Sequence, residues 1–367
     1  MRIGVLTLNL NYNYGGILQA YALTTVLGQY GHEVILVQRK RHFSLWMNIR
    51  RFIGLLLNRE SSFFENIQSL ETRKFINKNI PKCTERLSDK QLRCFCDSQR
   101  MDAMVVGSDQ IWRRWRRMYD YSAFLDFCVD YPHLKRIAYG VSFGLEQWQY
   151  SPSETKQIKD LVSIYDSVSV REQSGILLCR QYLDVKAQWV LDPTMLLDTK
   201  IYMSLITEKL CSKGKQELVS YFLGSKSTNE LMARIYAEEH EMKYRSLSVK
   251  SPANIVNVLS NISRCIWPPV EEWLSGIINA DIVVTDSFHG TVFAILFHRP
   301  FVVISNDERG NARLVSLLNM FEMDNLIFNL NDKIKEIKKE NYDWKKVDAI
   351  IKDMKEKSLH FLKENLQ

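Results

Sequence analysis

Apolar residues fall in short blocks separated by longer amphipathic stretches, the pattern of an α/β chain. Ile3 to Leu8 reads as a buried strand, Asn9 to Gly16 as a loop and Ile17 to Tyr30 as a helix. Gly31 then leads into a second strand, Val34 to Gln38, so the opening is Rossmann-like. Its loop, NLNYNYGG, has adjacent glycines rather than GxGxxG, which leaves a dinucleotide site unsupported. Residues 43–100 are helical and polar in alternation and are expected to form an insertion or a lid. Strands resume at Ala103–Gly107, Arg136–Ser142, Ser167–Val170 and Trp189–Leu191, before Asp192-Pro193 breaks the pattern.

A second series follows: strand Leu218–Leu223, a helix over about 229–241, strand Tyr244–Val249 and helix Glu271–Ala280. DIVVTDSFHGTVFAILFHRPFVVI, Asp281 to Ile304, is a complete βαβ unit, with a tight turn at DSFHG. Trp344 to Leu366 is a Lys-rich amphipathic helix. The two series predict two Rossmann-like domains, 1–197 and 198–367, facing each other across a cleft, with the 344–366 helix in the second. In such sheets ligands sit beyond the carboxyl ends of the strands.

The length of 367 residues fits two domains, and 46% hydrophobic with 25% charged residues fits a folded chain. The net charge of +7 is unevenly placed. Arg39 to Arg59 holds six basic residues and no acidic one, and Ile111 to Arg117 (IWRRWRR) sets four arginines around two tryptophans. These segments suit a solvated lid or an amphipathic surface on anionic lipid. Nucleic acid is set aside, because no DNA- or RNA-binding module is recognisable. Seven scattered cysteines without CxxC or zinc-like spacing predict a reduced protein with no metal site. The immediate opening strand leaves no room for a signal peptide, and no apolar run approaches a membrane span. The expected location is cytoplasmic, with peripheral contact at the inner face of a membrane.

His289 lies at a predicted helix N-terminus, where backbone N–H groups and the helix dipole favour an anion. A histidine beside a bound phosphate or carboxylate can act as a general acid; the plainer alternative is a structural histidine bonded to a carbonyl. Arg171 follows the strand SVSV, where its fork would suit a carboxylate or phosphate, or would pair with Glu172. Arg309 and Arg313 bring further cationic groups to the same rim. Asp109, after a strand and a glycine, would take a proton from a sugar hydroxyl or cap the next turn. Asn11, Asn13, Gly15 and Gly16 would present amides and backbone to a polar ligand, or form an ordinary turn.

Taken together and in this order, NYGGILQAYAL, VVGSDQIW, SVREQSG, LDPTMLL and TDSFHGTVFAILFHRPFVVI resemble the polysaccharide pyruvyl transferase family. The resemblance implies a GT-B-like fold and transfer of a pyruvyl group from phosphoenolpyruvate to a sugar diol, leaving a cyclic ketal. It implies His289 as general acid, and Asp109 is the second candidate catalytic residue, the one that would take a proton from a sugar hydroxyl. Arg171 and Arg313, with Arg309, Ser287 and Gly290, would hold the donor. Asn11, Asn13, Gly15, Gly16 and Gln110 would line the acceptor side, in the first domain. Relatives carry Arg-Leu before the histidine where this chain has Ser287-Phe288, so one donor cation is absent here or supplied by Arg309. Phosphoenolpyruvate is then a co-substrate, with no cofactor or metal, and the sugar is lipid- or nucleotide-linked. Two other classes stay open: a glycosyltransferase using a nucleotide sugar, and a non-catalytic sugar- or anion-binding relative.

Overall fold

The computed structural model describes residues 1–40, 45–59, 62–80, 82–114, 121–207, 216–224, 226–305, 310–328 and 342–367. Arg309, Trp115, Arg116 and Arg117 lie outside the described residues.

Seven parallel strands form the first sheet: β1 (Arg2–Leu6), β2 (Glu33–Arg39), β3 (Cys83–Leu87), β4 (Ala103–Val106), β5 (Lys135–Val141), β6 (Ser167–Val170) and β7 (Gln188–Trp189). Their order is β3-β2-β1-β4-β5-β6-β7. The central strands are apolar along nearly their whole length because helices cover both faces, as β4 shows with four buried residues of four. Five parallel strands form the second sheet: β8 (Glu217–Tyr221), β9 (Lys243–Ser246), β10 (Ile282–Thr285), β11 (Phe301–Ile304) and β12 (Ile327–Phe328), in the order β12-β11-β10-β8-β9. Strand order reverses between β1 and β4 in one sheet and between β8 and β10 in the other. Both are topological switch points, where a doubly wound sheet opens a crevice for a ligand.

The two crevices face each other, held by aromatic packing across the interface. Tyr14 donates to the Pro268 carbonyl at 2.8 Å and stacks on Trp273, with ring centroids 5.2 Å apart. Tyr12 stacks on Trp267 at 5.3 Å, and one apolar core runs through both domains.

Three expectations change. The first helix spans Tyr14–Gln29 rather than starting at Ile17, because Asn13 Oδ1 accepts from the amides of Gly15 (3.1 Å) and Gly16 (3.5 Å) and takes both glycines into the first turn. The 43–100 stretch is not wholly an insertion: β3 pairs with β2 at the sheet edge, and its CTERL sequence lacks the apolar run of a central strand. The helix Trp344–Asn365 does not belong to the second domain alone. It starts there, where Trp344 stacks on His298 at 4.9 Å. It ends on the first, where Ser358 Oγ accepts from Leu191 N at 2.9 Å and Lys135 Nζ donates to the Gln367 carbonyl at 2.8 Å. Among the described residues no helix is long and apolar enough to cross a membrane.

Candidate active site

The turn after β10 starts a helix, Phe288–Leu296, at the second sheet's switch point. Ser287 is extended and its Oγ accepts from Gly290 N at 3.3 Å, an N-cap that fixes the first turn. A side chain at Gly290 would meet Thr285 Oγ1 at 2.5 Å, so glycine here lets the helix sit close on the strand. The histidine these residues hold, His289, is 5% exposed. Its Nε2 stands 3.5 Å from Asp192 Oδ2. The other side of the ring faces the first domain, where a Cβ built on Gly15 would lie 2.0 Å from His289 Nδ1. His289, carried by the second domain, is therefore enclosed by the first on both sides of its ring, by Asp192 and by Gly15.

Behind it lies a buried ionic network from the first domain. Arg171 Nη1 donates to Asp192 Oδ2 at 2.5 Å and Nη2 to Asp109 Oδ1 at 2.9 Å. The remaining Asp192 oxygen accepts from Thr194 N (3.0 Å) and Thr194 Oγ1 (2.6 Å), and Ser108 Oγ reaches Oδ2 at 3.3 Å. Burial pushes the Asp192 carboxyl up, but His289 and Arg171 outweigh it and hold the group well below the usual carboxylate range. Burial also opposes the charge of Asp109, and Arg171, His289 and Arg313 hold it below its ordinary value. Glu172 next door has lost this contest: burial pushes it up. Asp192 was not anticipated as a site residue. Its DPT sequence reads as a strand end with a local cap, which it is (φ −55°, accepting from Thr194 N), and spacing carries no sign of Arg171 or His289 beside it.

Phe288 joins the two halves. Its ring lies 4.5 Å from the Arg171 guanidinium, 5.9 Å from that of Arg313 and edge-on to His289 at 5.2 Å. A neutral ring thus stands where relatives were expected to carry leucine after an arginine, and its face receives both cations.

The structure brings His289, Asp109, Arg171, Arg313, Ser287 and Gly290 into one region and revises several roles. Arg171 does not face the cleft with an open fork: its side chain is 1% exposed and both terminal nitrogens are held by carboxylates, so it orients Asp109 and Asp192. Asp109 caps no helix. It sits at φ +64° with its carbonyl accepting from Ile111 N and Ser142 N, and as a paired carboxylate with a depressed pKa it is a poor proton acceptor. Ser287 spends its hydroxyl on the cap, and Gly290 is a packing position. On the expected acceptor side, Asn11 Oδ1 accepts from Arg86 Nη2 (2.6 Å), Asn13 caps the Tyr14 helix, and Gln110 Oε1 accepts from Arg113 (2.7 Å). Gly15 abuts His289, and a Cβ on Gly16 would lie 3.8 Å from Asp109 Oδ2, so these two glycines bring backbone up to the buried polar groups.

That contact makes Gly15→Ala diagnostic. The added methyl would also lie 2.8 Å from His289 Cβ, near the backbone, so the ring must move as a whole. A displacement near 1 Å costs on the order of 100-fold in rate. Steady-state turnover of Gly15→Ala is expected to fall by that factor, and near-wild-type turnover would show that the Gly15 contact does not position the histidine.

Two parallel, doubly wound domains with facing switch points define a GT-B-like fold. Solved structures share it: S. aureus MnaA with UDP is 12% identical with a TM-score of 0.51, covering 98% of this chain and 89% of that one. The UDP-GlcNAc 2-epimerase from Methanocaldococcus jannaschii is 12% identical with a TM-score of 0.51, covering 96% and 99%. At this identity the likeness concerns the fold alone. The sequence profile described as "Polysaccharide pyruvyl transferase" matches residues 13–308, most of the chain, and takes in Asp109, Arg171, Asp192 and His289 while ending before Arg313. The chain belongs to the polysaccharide pyruvyl transferase family, a family of transferases. No curated protein sequence matches it.

Proposed function

We propose that this chain transfers the pyruvyl group of phosphoenolpyruvate to a pair of sugar hydroxyls during the building of cell-surface polysaccharide, on the cytoplasmic side. The observation that carries the reading is His289, seated in the first turn of a capped helix with Asp192 behind its Nε2 and two arginines against the ring of its neighbour Phe288. The donor carries two anionic groups, a phosphate and a carboxylate. The first turn of the Phe288 helix and the Arg313 guanidinium would receive them. Asp192 would accept from Nε2–H, fixing the ring so that it can deliver a proton.

In the first step a sugar oxygen bonds to C2 of the enol, His289 supplies the proton to C3, and the hydroxyl proton is released to water. In the second, another hydroxyl bonds to C2 as the C2–O bond to phosphate breaks, and its proton passes to His289, giving inorganic phosphate, the ketal and a reprotonated histidine. Arginine and helix N–H groups facing the leaving phosphate would stabilise the charge that develops on it. Neither step calls for a metal or cofactor.

Calorimetric titration with phosphoenolpyruvate tests the donor without knowledge of the acceptor, with UDP-GlcNAc as the competing ligand. Phosphoenolpyruvate is expected to bind, and Arg313→Ala to weaken it by roughly 10-fold or more, the loss of one charge-assisted contact. Binding of UDP-GlcNAc with no response to phosphoenolpyruvate would replace this reading with that of a nucleotide-sugar enzyme.

A further inference from the structure

We infer that two helices, Leu45–Leu56 in the first domain and Ile255–Asn261 in the second, form a single docking face for an anionic lipid bilayer. This deepens the proposed function by placing the enzyme where a lipid-linked sugar would be met, and it rests on that reading for the acceptor alone.

The first helix turns its apolar residues outward. Trp46 is 69% exposed, and Ile49, Phe52, Ile53, Leu56 and Leu57 are exposed with it. Their spacing of three and four places them on one face. A helix packed on a core shows the reverse pattern, and folded monomers rarely leave such a contiguous apolar patch in water. The second helix repeats the feature: Val256, Leu259 (82% exposed) and Ile262 just beyond it point to solvent. The two are joined, since Asn58 Oδ1, just past the end of the first, accepts from Val256 N in the first turn of the second at 3.1 Å.

Charge selects the occupant. Residues 39–59 hold six basic side chains and no acidic one, and residues 246–270, which carry the second helix, hold Lys250 and Arg264 and again no acidic one. Arginines lie against the aromatic residues of the first patch, Arg50 over Trp46 at 5.6 Å and Arg51 over Phe63 at 4.9 Å. Tryptophan and aliphatic residues entering the acyl boundary, with arginines at headgroup level, is the arrangement of an interfacial helix on anionic lipid. A protein partner would need only a matching apolar surface. It would give no reason for acidic residues to be missing from both segments.

The face also connects to the site. The chain continues from the first helix into Leu70–Asn79, where Thr72 Oγ1 donates to the Asn11 carbonyl at 2.6 Å. Gln68 takes the Trp267 amide at 3.0 Å through its carbonyl, beside the Tyr12–Trp267 stack. Lipid contact and the β1 loop therefore share one support.

Flotation of the full chain with phosphatidylglycerol–phosphatidylcholine vesicles, against phosphatidylcholine alone, tests the proposal without any sugar substrate. The protein is expected to float with the anionic vesicles and to be released by salt. Trp46→Glu and Leu259→Glu, one in each domain, are each expected to lower partitioning by roughly 10-fold. Arg50→Gln with Arg59→Gln, which leaves the apolar face intact, should lower it as well. Thermal melting and phosphoenolpyruvate titration of each variant separate loss of the surface from loss of the fold or of the donor site. No flotation at low salt would overturn the proposal. So would loss with Trp46→Glu but not with Leu259→Glu, or a dimer in sedimentation that the same substitutions abolish.

Discussion

His289→Gln is expected to lower turnover by roughly 10²–10⁴-fold, the range for loss of one general acid, while phosphoenolpyruvate affinity stays close to that of the unmodified protein. Glutamine nearly fills the space of the ring between Gly15 and Asp192 and can donate to Asp192, so the wall on either side is kept. What it cannot do is yield a proton. The split between affinity and turnover is the informative readout, because an interaction made only in the transition state lowers kcat without a matching change in binding. Turnover unchanged by His289→Gln would remove the histidine from the chemistry and leave it a packing residue between the domains.

Arg171→Met should have the largest effect on stability, a loss of ~3–5 kcal/mol, the usual result of breaking a buried ion network from one side. Both terminal nitrogens of Arg171 are bound to carboxylates that lie out of solvent, and its side chain is 1% exposed. Removing the cation leaves Asp109 and Asp192 as buried charges with less to balance them. Urea denaturation of the variant is expected to give an earlier midpoint at unchanged slope. Combining Arg171→Met with Asp109→Asn and Asp192→Asn should recover much of the loss, because the orphaned charges disappear with the cation. A single variant within 1 kcal/mol of wild type would mean that the carboxylates find other partners, and the network would not be what orders the site.

The region that carries the chemistry was legible where it is local in sequence. The βαβ unit of Asp281–Ile304 was readable residue by residue, because two apolar runs and a buried helix are joined by a turn whose serine and glycine have plain structural tasks. So was the presence of two successive α/β series. Two of the four edge strands were not: β3 and β12 were missed, the first polar and the second only two residues long, since an edge strand needs no continuous apolar run. The start of the first helix slipped by three residues because adjacent glycines look like loop until Asn13 is seen to cap them. The ionic network was invisible for a different reason. Asp109, Arg171 and Asp192 are separated along the chain by 62 and 21 residues, and only the parallel order of β4, β5, β6 and β7 brings their strand ends together. Sequence showed that Arg171 stands at a strand end. It could not show that two carboxylates had already claimed its fork.

The helix Trp344–Asn365, which begins beside His298 and finishes against Lys135 and Leu191, makes the second domain a loop in the first domain's own chain. During synthesis the first sheet must therefore wait, with the surface around Tyr139 and Leu191 still open, until the whole second domain has left the ribosome and Phe361 can cover it. Severing the connection near residue 197 would yield two fragments of which neither is whole: the leading one would lack a helix, and the trailing one would carry a helix with nothing to close on.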